Sequence, residues 1–103
     1  MADNKKSDLL AACRAALRIP DTCCDYDDEI ADCIDAARAE LRSGGVAASK
    51  VSDDSDGRIR LAVKVYVKAN FGMDNPDAER LAASFDSMLT AMKGDETYNG
   101  GAQ

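Results

Sequence analysis

The chain has 103 residues, 13 of them lysine or arginine and 19 aspartate or glutamate, for a formal net charge of −6. That length suits one small domain, and the acidic balance argues against a nucleic-acid reader, which needs a basic face to release counterions from phosphates. A hydrophobic fraction of 46% beside 31% charged residues is globular, while the absence of histidine removes the usual general base and the commonest metal ligand.

Met1 to Ser7 lead into no sustained apolar region with a cleavage site, so no secretory leader is expected. No window approaches the roughly 18 apolar residues of a membrane span. The first helix is expected from Ser7 to Arg18, with Leu9, Leu10, Cys13, Ala16 and Leu17 on one face. Pro20 stops it, because the residue before a proline is pushed out of the α region.

A turn carrying Cys23 and Cys24 follows. With Cys13 and Cys33 these make four cysteines. Structural zinc sites supply ligands in pairs two to four residues apart; here the gaps are nine residues, none and eight, which does not fit. A disulfide framework does not suit a chain without a leader, whose compartment is expected to be reducing. Cys13 and Cys33 fall on apolar stripes and are read as small core hydrophobes. Cys23 and Cys24 are expected to be partly exposed, with no base or cation beside them to activate them.

The second helix is expected to begin near Asp25, which can cap it, with Asp27, Asp28 and Glu29 facing the positive end of the helix dipole. Its buried stripe reads Tyr26, Ile30, Cys33, Ile34, Ala37 and Leu41. Arg38 and Arg42 sit in the last turns, and Gly44-Gly45 terminate it. Val46 to Gly57 then reads as a loop, too polar and too poor in bulky residues to be core. Its Asp53, Asp54 and Asp56 invite a calcium reading, but the closing glutamate of an EF-hand is missing. Capping of the next helix is the better use for one of them.

The third helix, Arg58 to Phe71, is apolar on most sides. Ile59, Ala62, Val63, Tyr66, Ala69 and Asn70 form one stripe, and Leu61, Val65 and Val67 extend it around the surface. Such a helix is central to its fold or faces a partner. Arg60, Lys64 and Lys68 interrupt it as a cationic line, read as a solvated or salt-bridged face. Gly72 ends the helix, and Asn75-Pro76-Asp77 restart the chain with a capping asparagine and a proline. The fourth helix places Ala78, Leu81, Ala82, Phe85, Met88, Leu89 and Met92 on one face. Met88 and Met92 read as core filling, or as an adaptable binding surface. From Gly94 onward there is almost nothing to bury, so a mobile tail is expected.

The fold class is therefore all-α, a small bundle of about four helices in a single domain over 1–93, with a flexible C-terminal tail over 94–103. A domain this small is marginally stable alone, and oligomerisation is a common remedy. No nucleophile–base pair, phosphate loop or dinucleotide fingerprint is present, so no enzyme is expected, nor any catalytic residue, metal or cofactor.

The order of the segments carries more than their composition. Leu17-Arg18-Ile19-Pro20-Asp21 is followed by the acidic Asp25-Tyr26-Asp27-Asp28-Glu29-Ile30 and then by Ile34-Asp35-Ala36-Ala37-Arg38-Ala39-Glu40-Leu41. After a loop come Arg60 to Gly72 and a last helix with Phe85-Asp86-Ser87-Met88-Leu89. Over Leu9 to Met92 this sequence resembles the head–tail connector (adaptor) family of tailed bacteriophages, also described as DNA-packaging proteins. The resemblance implies a structural virion protein at the head–tail junction, assembled in the host cytoplasm. Its subunits would form a homo-oligomeric ring under the portal protein, meet a tail or stopper protein, and let DNA pass without sequence-specific binding. No membrane partner is expected.

Three features agree with that implication. An acidic subunit suits a conduit that must not retain DNA. The broad apolar third helix can supply a side-by-side contact, for which Leu61, Val65 and Lys68 are the candidate residues. The C-terminal tail can order on docking to the portal, with Tyr98 and Asn99 as candidate anchors. The alternative is a small cytoplasmic helical protein-interaction module unrelated to phage, which would bind a partner helix through Met88 and Met92.

Overall fold

Each of the four amphipathic stretches forms a helix in the computed structural model, which describes residues 4–20, 22–72 and 75–100. They are α1 (Asn4–Ala16), α2 (Asp27–Ser43), α4 (Gly57–Asn70) and α5 (Ala78–Lys93), with two short helices, α3 (Ala48–Val51) between α2 and α4 and α6 (Glu96–Asn99) after α5. The described residues contain no strand. The molecule is flat, with Cα extents of 43 × 37 × 17 Å.

The mostly apolar helix is the central one. α4 packs most extensively on α5, then on α2, and also touches α1. Its Ile59, Ala62, Val63 and Val67 are fully buried. Against them lie Leu9 and Cys13 of α1, Ile30, Ile34, Ala37 and Leu41 of α2, and Phe85 and Met92 of α5. Burying a side chain the size of Ile or Leu contributes about 2 kcal/mol, so α4 is the element around which the others condense. Asn70, expected on the buried stripe, is exposed at the end of the helix, where its amide donates to the Tyr66 carbonyl.

Helix ends follow local chemistry. Asp56 caps α4, its carboxylate accepting from the amides of Arg58 (2.9 Å) and Ile59 (3.2 Å). α2 closes in a Schellman arrangement. Gly45 takes φ +113° and bonds back to the Arg42 carbonyl, while the Val46 amide reaches the Leu41 carbonyl at 2.9 Å. α1 ends the same way but with Arg18 in the left-handed position (φ 63°) and the Ile19 amide on the Arg14 carbonyl. The stop is thus made two residues before Pro20.

Two capping expectations are corrected. Asp25 does not cap α2: Tyr26 holds the N-cap position without a side-chain bond, and the helix starts at Asp27. Asp27 is instead gripped by Arg14, whose guanidinium donates to both carboxylate oxygens at 3.0 Å, pinning the last turn of α1 to the first turn of α2. Asn75 accepts from the Asp77 amide, yet the helical ladder of α5 begins three residues later, at Ala78.

Two further segments depart from expectation. The stretch from Val46 to Gly57 is not a surface loop: Val46 and Val51 are in the core and α3 forms between them. Asp54 is buried there as well, because Arg38 of α2 meets it at 2.6 Å. From Gly94 the chain folds back as a turn and α6 rather than running free as a tail, and Tyr98 is only 8% exposed. Residues 101–103 of the expected tail lie outside the described residues.

Candidate functional site

The outer face of α4 is set by helical spacing. Ile59, Ala62 and Val63 point inward, so Leu61, Lys64, Val65 and Lys68 are carried to the far side. Of the three residues expected at a subunit contact, Leu61 is 49% exposed, Lys68 is exposed, and Val65 is half-buried against the core. All three share this face. Neither Lys64 nor Lys68 forms an ion pair among the described residues.

Beside Leu61, α4 and α5 diverge enough to leave a groove of about 390 Å³ lined by Arg58, Leu61, Ser87, Met88, Ala91 and Met92. The two methionines divide their expected roles. Met92 is buried and forms the floor, while Met88 is half-buried and forms a wall. Arg58, Ser87 and Ala91 were not legible as groove residues from sequence, since their place depends on how α5 crosses α4. The exposure of Tyr26 (46%) was missed too. It sits at the N-cap of α2, outside helical geometry, and so leaves the stripe on which the periodicity puts it.

Tyr98 and Asn99 are placed differently from an exposed anchor. The Tyr98 hydroxyl donates to both oxygens of Asp56 at 3.0 and 3.1 Å. Its ring lies under Lys50 (5.1 Å) and Arg58 (5.4 Å). Burial and then the Asp56 carboxylate push the Tyr98 phenol above its ordinary pKa. Burial alone would raise Asp56, but the Ile59 amide, the Tyr98 hydroxyl, Lys50 and the Arg58 amide outweigh it and hold the carboxyl below its ordinary value. The Asn99 amide donates to the Lys93 carbonyl at 2.9 Å. The signal for this seat was Asp95, which caps α6 by accepting from the Thr97 amide and sets Tyr98 on its inner side.

The cysteines divide by burial. Cys13 is fully buried, Cys33 and Cys23 are half-buried, Cys24 is exposed, and all are free thiols. Burial pushes the Cys13 thiol up to about 11, against smaller opposing effects of Lys64 and Arg60. Among the described residues no group of three or more Cys, Asp or Glu side chains is arranged to hold a metal ion, and no helix is long and apolar enough to cross a membrane.

The chain is thus a flat helical molecule with an apolar groove between α4 and α5. The model of the family described as phage connector protein matches residues 9–99, and the chain belongs to that family. No curated protein and no solved structure matches. Connector proteins are structural virion components of the head–tail junction that act through other virion proteins, without catalysis. That membership decides against the unrelated interaction module.

Proposed function

We propose that the chain is a head–tail connector subunit that closes into a ring beneath the portal, joins the capsid to the tail and leaves a channel for DNA. The observation that carries this reading is the family match over 9–99, nearly the whole chain. Two physical features support it. Leu61 and the groove beside it offer exposed apolar area on the central helix of the fold. The net charge of −6 lets a narrow lining repel the phosphate backbone rather than hold it, so DNA passes without sequence-specific contact.

In this reading the subunit is made in the host cytoplasm and meets the portal on one side of its ring and a tail or stopper protein on the other. A docking role for Tyr98 or Asn99 would require α6 to leave its seat on Asp56, so portal contact is assigned to no particular residue. The genetic test is deletion of the gene from the phage that encodes it. The expected result is DNA-filled heads without tails, restored by the gene in trans. Normal tailed virions from the deletion would overturn the proposal.

A further inference from the structure

Two large hydrophobic side chains stand exposed among the described residues, Tyr26 and Leu61. They belong to opposite ends of α4. Leu61 is in its second turn, whereas Tyr26 packs edge-to-face on Phe71, the C-cap, at 5.7 Å between ring centroids. From Leu61 to Phe71 the helix rises about 15 Å, so a chain cannot lay its own Tyr26 on its own Leu61.

The surroundings of the two are opposite in charge. Asp25, Asp28 and Glu29 flank Tyr26, all exposed and none in an ion pair among the described residues. Leu61 has Lys64 one turn further along α4 on one side and Arg58, 59% exposed although paired with Asp95, on the groove side. An acidic projection with an aromatic tip and an apolar groove with a basic rim are complementary surfaces on one molecule.

We propose that they meet between copies: the Tyr26 end of one chain seats in the Leu61–Met88 groove of the next. The inference rests on the connector reading and gives its ring a contact. Because the two surfaces differ, the contact is heterologous. It adds copies in one direction and closes when the rotation between neighbours divides a full turn. The aromatic tip and Leu61 supply the desolvated centre, and the charges supply register and association rate.

Sedimentation velocity on the full chain with Tyr26→Ser, with Leu61→Asp, and with the two mixed tests this directly. Each variant alone is expected to need at least about tenfold higher concentration to assemble, the effect of losing one central contact residue. The equimolar mixture is expected to recover dimers and no larger species, since each variant keeps the half the other lacks. Should either variant prove misfolded by circular dichroism, Asp28→Lys and Lys64→Glu replace the pair: each alone is expected to assemble poorly, and their mixture is expected to recover assemblies of wild-type size, since both of its mixed contacts again join opposite charges. Assembly of Tyr26→Ser at wild-type concentrations would overturn the proposal, as would a mixture of folded variants that stays monomeric. A wild-type chain that remains monomeric at its solubility limit would overturn it too. None of these results bears on the deletion phenotype, so the connector reading stands or falls separately.

Discussion

The Tyr98 hydroxyl and the Asp56 carboxylate, 42 residues apart in the chain, are joined by a hydrogen bond to each carboxylate oxygen. Asp56 is also the N-cap of α4, so one side chain both starts the central helix and holds α6 against it. Tyr98→Phe removes the hydroxyl while keeping the ring, and should cost about 1 kcal/mol in urea unfolding. Asp56→Ala removes the cap as well and should cost about 2 kcal/mol or more.

The same pair gives a pH dependence with two edges. Asp56 has a lowered pKa in the fold, so its contribution is complete above the ordinary carboxylate range and is lost as pH falls through the lowered value. Tyr98 has a raised pKa, so its contribution is complete below the ordinary tyrosine value and is lost as pH rises through the raised one. Hydrogen exchange of the amides of Tyr98 and Asn99, both bonded to the Asp95 carbonyl, should show protection across neutral pH that falls at both extremes. Protection unchanged into strong alkali, after correction for intrinsic exchange, would contradict the assignment for Tyr98.

Arg38 and Asp54 form an ion pair with side chains only 17% and 6% exposed, and the buried Arg38 Nε has no hydrogen-bond partner among the described residues. Removing one charge strands the other. Asp54→Ala should therefore destabilise by about 3 kcal/mol, and the double variant Arg38→Met with Asp54→Leu should recover most of it. Chemical denaturation of the three variants checks both statements.

Arg18 occupies the left-handed terminus of α1 at φ 63°, a conformation glycine adopts without strain. Arg18→Gly should stabilise the fold by about 0.5 kcal/mol, the relief of strain being partly offset by the freer unfolded chain. A rise in the thermal midpoint is the expected reading. At the end of α2 the reverse holds: Gly45→Ala forces a Cβ into φ +113° and should cost about 1 kcal/mol or more.

Alkylation should order the thiols as the burial does. Cys24 is expected to react first, Cys23 and Cys33 more slowly, and Cys13 only on unfolding, since it is both inaccessible and shifted to about 11. Peptide mass spectrometry of the partly alkylated chain reads that order directly.

Much of this fold was legible from the sequence because its helices announce themselves. The acidic start and Gly44-Gly45 end of α2, and the apolar breadth of α4, define both elements and the central place of the latter. Leu61, Val65 and Lys68 fall on one face by spacing alone, and capping by Asp56 could be expected from its place before Arg58. What escaped is what depends on distant partners. Asp54 reads as solvated until Arg38 covers it, and Tyr98 reads as part of a tail until Asp56 receives its hydroxyl. The groove escaped for the same reason: Ser87 and Ala91 carry no signal of their own and line it only because α5 crosses α4 there.

Whether this chain is a portal-bound connector subunit is read by native mass spectrometry of the chain mixed with the portal protein of its phage. The connector reading predicts one complex in which a single fixed number of chains is added to the portal, with no bound metal in the mass. Portal and chain appearing only at their separate masses, at every mixing ratio, would contradict it.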